Sequence, residues 1–228
     1  MKSEALPRIL PFALFMAFIG LEEAVRFLDG RGIIVIDEQH LLYLYPLKAL
    51  SVFFTLLYFW KKYDEINLRD LLAPVRTALA VAIGLVVFVL WVNMDWAFAT
   101  LGKPAGYDPT VLPEGLARNA AVAIRLFGAA LVVPVMEELF WRSFLLRYII
   151  DPDFIKVPIG RLTWPSFLIT TLLFGLEHHF FFAGMAAGAL YNFLLSRTRS
   201  IALCMLAHGI TNLLLGVYVL RTSEWGFW

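Results

Sequence analysis

The chain has 228 residues, 61% of them hydrophobic and 16% charged, with 19 Lys and Arg against 18 Asp and Glu and a single cysteine, Cys204. With a mean hydropathy of +0.76, this composition excludes a disordered or collagen-like chain and a disulfide scaffold. The net charge of +1 leaves no basic footprint for nucleic acid.

A bilayer core about 30 Å thick takes about 20 mostly apolar residues per helix. Runs of this kind lie at roughly 9–28, 42–60, 77–100, 117–141, 165–182, 180–196 and 200–220. They predict an all-α polytopic membrane bundle of about seven helices (six to eight bracket the count) in one domain, 1–228. Lys2 and Arg8 precede the first run as they would in a signal peptide, but Pro7 and Pro11 interrupt its start. No small-residue cleavage site follows, so it reads as a retained first helix. Near its end, Glu22 and Arg26 stand at i,i+4 and read as a structural pair or rim contact. Lys48 in the second run and Arg125 in the fourth are charges that pairing or snorkelling would accommodate.

Lys61, Lys62, Asp64, Glu65, Arg69 and Asp70 interleave with leucines between the second and third runs, a pattern that predicts an interfacial helix. Residues 101–116 and 151–164 carry Gly and Pro and read as loops. The fourth run continues as a helical pattern to about Ile150, and Gly184 and Gly188 have the spacing that lets helices approach closely. With the N-terminus inside, eleven Lys and Arg fall on the cytoplasmic side and four outside, Lys103 among the four. Seven spans would then leave the C-terminus outside.

Ionisable groups deep in a membrane are expensive and mark function. Here they cluster. The fourth run ends in Glu137, Glu138 and Arg142; the fifth carries Glu177, His178 and His179; the last carries His208 and Asn212. Glu138 and Arg142 stand at i,i+4 and can pair. Glu137 lies about 100° around the helix from Glu138 and can point elsewhere, and Pro134 one turn earlier can kink the helix. Glu177 and His179 read as structural or interfacial, and Cys204 as packing.

A carboxylate and an imidazole across a small cavity can deprotonate a water, and a second imidazole with a carboxamide can stabilise an oxyanion. This set suffices for peptide hydrolysis without a covalent intermediate or a cofactor. No serine nucleophile motif surrounds Ser143 or Ser166, and no HExxH is present.

EExxxR (Glu137, Glu138, Arg142), FxxxH (Phe174, His178) and HxxxN (His208, Asn212), in that order, resemble the motifs of the CPBP family of CAAX-processing and bacteriocin-processing intramembrane endopeptidases. The resemblance covers residues 117–220, the motif-bearing core. It implies that Glu137 is the base that activates water with help from His178, that Glu138 pairs with Arg142, and that His208 and Asn212 form the oxyanion site. It leaves two accounts of the chemistry: a metal-free glutamic mechanism, which the presence of Asn212 favours, and zinc held by Glu137, His178 and His208. The first half resembles bacterial CAAX prenyl protease-related proteins associated with PEP-CTERM sorting. This implies a bacterial plasma membrane and a membrane-anchored protein or peptide as substrate. The competing readings are a non-catalytic membrane scaffold or immunity-type factor of the same fold, and a proton-coupled transporter; oligomeric state is left open.

Overall fold

A computed structural model describes residues 2–96, 98, 100–102 and 106–228 of the chain; Lys103 and its part of the 101–116 loop lie outside the described residues. The first helix, α1 (Lys2–Gly30), runs through both Pro7 and Pro11. Pro11 has no N–H to give the Pro7 carbonyl. The Tyr63 hydroxyl donates to that carbonyl instead, at 2.9 Å, so the helix survives a residue that the sequence reading takes as an interruption.

A short α2 (Glu38–Leu42), capped by the Asp37 side chain, leads into α3 (Leu44–Tyr58). Residues 59–73 form two 3-10 turns, Trp60–Lys62 and Leu68–Leu72, in place of the expected interfacial helix. Ile66 and Leu71 turn inward onto the core, and Asn67 caps the second turn through Arg69 N. Next, α4 (Pro74–Asn93) stops seven residues short of the predicted run.

The fourth run is one rod, Leu116–Ile150. Its α-helical stretches α5 (Leu116–Phe127), α6 (Val133–Glu138) and α7 (Leu146–Ile150) are separated by π turns at Gly128–Val132 and Leu139–Leu145. Then come α8 (Trp164–Leu176), started by a Thr163–Ser166 capping box, α9 (Phe181–Thr198) and α10 (Ile201–Thr222), capped by Ser200. No strand is present among the described residues; a lone antiparallel bridge joins Thr100 to Phe180.

Among the described residues, five helical rods are long and apolar enough to cross a membrane: Glu4–Gly30, Gln39–Tyr58, Pro74–Asn93, Leu116–Ile150 and Ile201–Thr222. The predicted fifth and sixth runs become α8 and α9. At 13 residues α8 is about 20 Å long, too short to cross alone, and it packs along α9, with Gly184 and Gly188 against Gly175 and Phe174. The chain is an all-α integral membrane bundle.

Its two ends differ. At one, Arg8 pairs with Glu65 at 2.7 Å, Arg147 donates to Val157 O at 2.8 Å and Arg76 donates to Thr198 O. At the other, Leu101 N donates to His179 O at 2.7 Å and Tyr107 and Phe180 pack on Trp228 and Phe227. Successive long helices alternate in direction between these ends. The core between them brings Trp141, Phe174, Tyr191, Cys204 and Ala207 together from four helical segments.

Candidate active site

Pro134 sets the backbone of the site. Lacking an N–H, it leaves carbonyls of the preceding turn without a helical donor, in the π turn Gly128–Val132. Asn212 of α10 takes one of them up: its Nδ2 donates to Ala129 O at 2.9 Å. The next carbonyl, Ala130 O, lies so close to Gly209 that a Cβ there would stand 2.8 Å from it. On the other side of α10, Thr211 donates to Gly84 O at 2.9 Å and accepts from the Tyr191 hydroxyl at 2.9 Å. The helix carrying His208 and Asn212 is thereby locked in rotation against α4, α9 and the long rod.

On the rod, Glu138 is fully buried and Arg142 is 1% exposed. Arg142 donates to Glu138 Oε1 at 3.2 Å and reaches Gly188 O at 3.4 Å, its guanidinium lying 4.5 Å from the centroid of the Phe174 ring. The same Glu138 oxygen accepts from His208 Nδ1 at 3.0 Å. Because that oxygen accepts from both Arg142 and Nδ1, Nε2 points away from Glu138. It stands 3.9 Å from Glu137 Oε2, an oxygen with no hydrogen-bond partner among the described residues. Tyr191 stacks on the His208 ring at 5.0 Å and fixes its plane.

His178 follows the end of α8. Its Nδ1 donates to Phe174 O at 2.7 Å, which leaves Nε2 for other partners, and its ring packs edge-on against Trp91 at 5.1 Å. Glu137, His178, His208 and Asn212 all line one cavity of about 190 Å³. The four predicted residues therefore share a site, and the imidazole that stands 3.9 Å from Glu137 is that of His208. Glu138 does pair with Arg142 as expected, and in addition holds His208.

Glu177 accepts from Trp141 Nε1 at 3.0 Å, and His179 is exposed with Nδ1 on Leu101 O at 2.7 Å. Cys204 is buried with Sγ toward Tyr191 O. Glu22 and Arg26 pair at 3.0 Å. Sequence reasoning passed over Trp91, Tyr191 and Thr211, which shape the cavity and its imidazoles. Nothing in their spacing separates them from ordinary core residues.

The zinc alternative needs Glu137, His178 and His208 to converge on one ion. Among the described residues no group of three His, Cys, Asp or Glu side chains does so; both imidazoles give Nδ1 to a protein oxygen and keep Nε2 free, an arrangement that metal-bound histidines share. As placed, the three side chains do not form a converged ligand set for zinc.

Residues 119–214 match the family model described as Type II CAAX prenyl endopeptidase Rce1-like. This segment is similar to that family. The CPBP resemblance read from EExxxR, FxxxH and HxxxN is borne out here, since all three motifs fall inside the match. The Rce1-like segment does not reach the N-terminal half that carries the PEP-CTERM-associated resemblance. No curated protein and no solved structure matches the chain.

Proposed function

We propose that the chain is an intramembrane endopeptidase that hydrolyses a peptide bond near the C-terminus of a membrane-associated protein or peptide. The observation that carries this reading is the pairing of Glu137 with His208 across the cavity at 3.9 Å, with His208 held from behind by Glu138. The Rce1-like match, to a family described as CAAX prenyl endopeptidases, supports the reaction class.

In this reading a water against the Glu137 carboxylate gives up a proton to it as the water oxygen adds to the scissile carbonyl. His178 Nε2 orients the water. The oxyanion forms against the His208 imidazole, which Glu138 holds at Nδ1, and against the second Nδ2–H of Asn212. Glu137 then passes its proton to the departing amine. The apolar walls keep competing water away and strengthen each of these interactions. No step needs a metal. The basic end carrying Arg8, Lys61, Lys62 and Arg69 supports a cytoplasmic N-terminus. The substrate class proposed is a membrane-anchored protein, with prenylated and sorting-tail proteins as its candidate members.

The expected result for Glu137→Gln is a loss of cleavage of about 10²–10⁴-fold, the usual contribution of a general base, with normal expression. Mass spectrometry of membrane proteins that accumulate uncleaved in the Glu137→Gln strain would read it and identify the substrate. Unchanged processing would overturn the reading in favour of a scaffold. Cleavage that survives thorough metal removal is expected; loss on chelation restored by zinc would overturn the metal-free mechanism.

A further inference from the structure

Two cations sit inside the bundle with no acid on either. Lys48 is 6% exposed, its Nζ 4.6 Å from the Phe15 ring centroid and 5.3 Å from that of Tyr45. The Arg125 guanidinium lies 4.2 Å from the Tyr45 ring and 5.3 Å from the Tyr107 ring, and its Nε is buried without a hydrogen-bond partner. Among the described residues neither side chain joins an ion pair, and Arg125 stands within reach of the Tyr45 hydroxyl. The acids nearby are committed or turned outward: Glu22 pairs with Arg26, Glu177 accepts from Trp141, and Glu23 is exposed.

Both cations line a chamber of about 310 Å³ that lies between the Glu137 cavity and the loops at the Trp228 end. Arg125, Trp91 and His178 line both spaces, so the two adjoin. Charge in the membrane interior is expensive, and aromatic faces offset only part of the cost. Such contacts put no acceptor on the N–H edge at the Arg125 Nε. That edge is a planar fork which matches a carboxylate in two parallel hydrogen bonds.

We propose that this chamber is a carboxylate-binding subsite for the substrate, in which Arg125 and Lys48 receive a carboxylate that the peptide carries downstream of the scissile bond. The inference rests on the endopeptidase reading above and names a feature its substrate must have. Arg125 and Glu137 are twelve residues apart on one rod, about 18 Å of helical rise. An extended peptide spans that distance in about five or six residues. The carboxylate thus belongs to a group a few residues beyond the cut: the C-terminus itself or an acidic side chain close to it.

The test uses the purified full chain carrying Glu137→Gln, in detergent micelles. Titration calorimetry would follow three probes: an N-acetylated apolar hexapeptide as the free acid, the same peptide as the C-terminal amide, and the amide with glutamate as its last residue. At least one carboxylate-bearing peptide is expected to bind ten-fold or more tightly than the plain amide; which of the two does so identifies the source of the carboxylate. Arg125→Gln and Lys48→Met should each bring that ratio toward one while the affinity for the amide and the melting temperature hold. Arg125→Lys, which keeps the charge and loses the fork, should retain part of it. Equal binding of all three probes, or binding of none, overturns the proposal even if every charge-removing variant fails to fold. A ratio that Arg125→Gln leaves intact in a folded protein also overturns it. Because binding is read without turnover, carboxylate discrimination in a chain that cleaves nothing would remove the protease and leave the subsite, and cleavage without discrimination would do the reverse.

Discussion

Glu137 and Glu138 are neighbours in the chain with different tasks, because a helix turns about 100° between them. Glu138 faces Arg142 and His208 and is sealed in; Glu137 faces the cavity. Removing one partner of a buried ion pair costs about 3–5 kcal/mol, since the other is left charged and dry. Glu138→Gln is therefore expected to lower the melting temperature in detergent and to slow cleavage, because His208 loses the acceptor that orients it. Combining Glu138→Leu with Arg142→Met should recover much of the stability and none of the activity. Recovery of both would show that Glu138 serves only packing. The division of labour between the two glutamates was legible from their offset and from the Arg four residues on. That His208 is the imidazole facing Glu137 was not, because sequence spacing says nothing about how α10 is rotated against the rod.

At the scale of elements, one device appears twice. Pro11 frees the Pro7 carbonyl and Tyr63 takes it; Pro134 disturbs the turn before the site and Asn212 takes the Ala129 carbonyl. In a membrane a carbonyl without a donor is costly, so each proline is matched by a polar side chain from a distant segment. The α10 surface then meets its neighbours through glycines: a Cβ at Gly209 would lie 2.8 Å from Ala130 O, and one at Gly84 would lie 2.6 Å from Ala207 O. Both obstacles are backbone atoms and cannot rotate away. Gly209→Ala or Gly84→Ala is expected to destabilise the protein by about 1–3 kcal/mol, as overpacking does, and to disturb the Glu137–His208 spacing. Thermal unfolding in detergent and the rate of substrate processing would register it. Apolar run length gave the long helices nearly to their ends. It overestimated α8, where Glu177 and two histidines end the helix; the charges interleaved with leucines over 61–72 predicted an interfacial helix where two 3-10 turns stand, because Ile66 and Leu71 pack inward and Glu65 makes tertiary contacts.

For the whole molecule, the basic end is tied together by one buried cluster. Glu65 accepts from Arg8 Nε and Nη2 at 2.7 Å each and from the Ser143 hydroxyl, which joins α1, the 59–73 connection and the long rod. Burial alone would raise the Glu65 carboxyl, but the hydrogen bonds and charge of Arg8, with Ser143, hold it below its ordinary value of 4.5. A depressed carboxyl stabilises the fold at pH above the unfolded value and loses that contribution as pH falls through the folded one. Detergent-solubilised protein is thus expected to lose melting temperature as pH drops below about 4.5. Glu65→Gln should be less stable at neutral pH and show a flatter acid limb. An acid limb unchanged by that substitution would show that Glu65 does not govern it.

The sequence by itself determined that the chain lives in a membrane, which of its polar residues stand out inside apolar helices, and that three motifs in order resemble those of the CPBP endopeptidases. These are properties of composition and local spacing, and each ionisable group is conspicuous because its neighbours are apolar. Only the tertiary structure decided which nitrogen of His208 meets which glutamate, since that contact joins residues 70 positions apart. It also decided that Lys48 and Arg125 face one chamber among aromatic rings, neither in an ion pair among the described residues. Pairing or snorkelling would have served either residue equally well in a list of spans. What separates those options is the rotation of α3 and α5 about their axes, and packing sets that rotation.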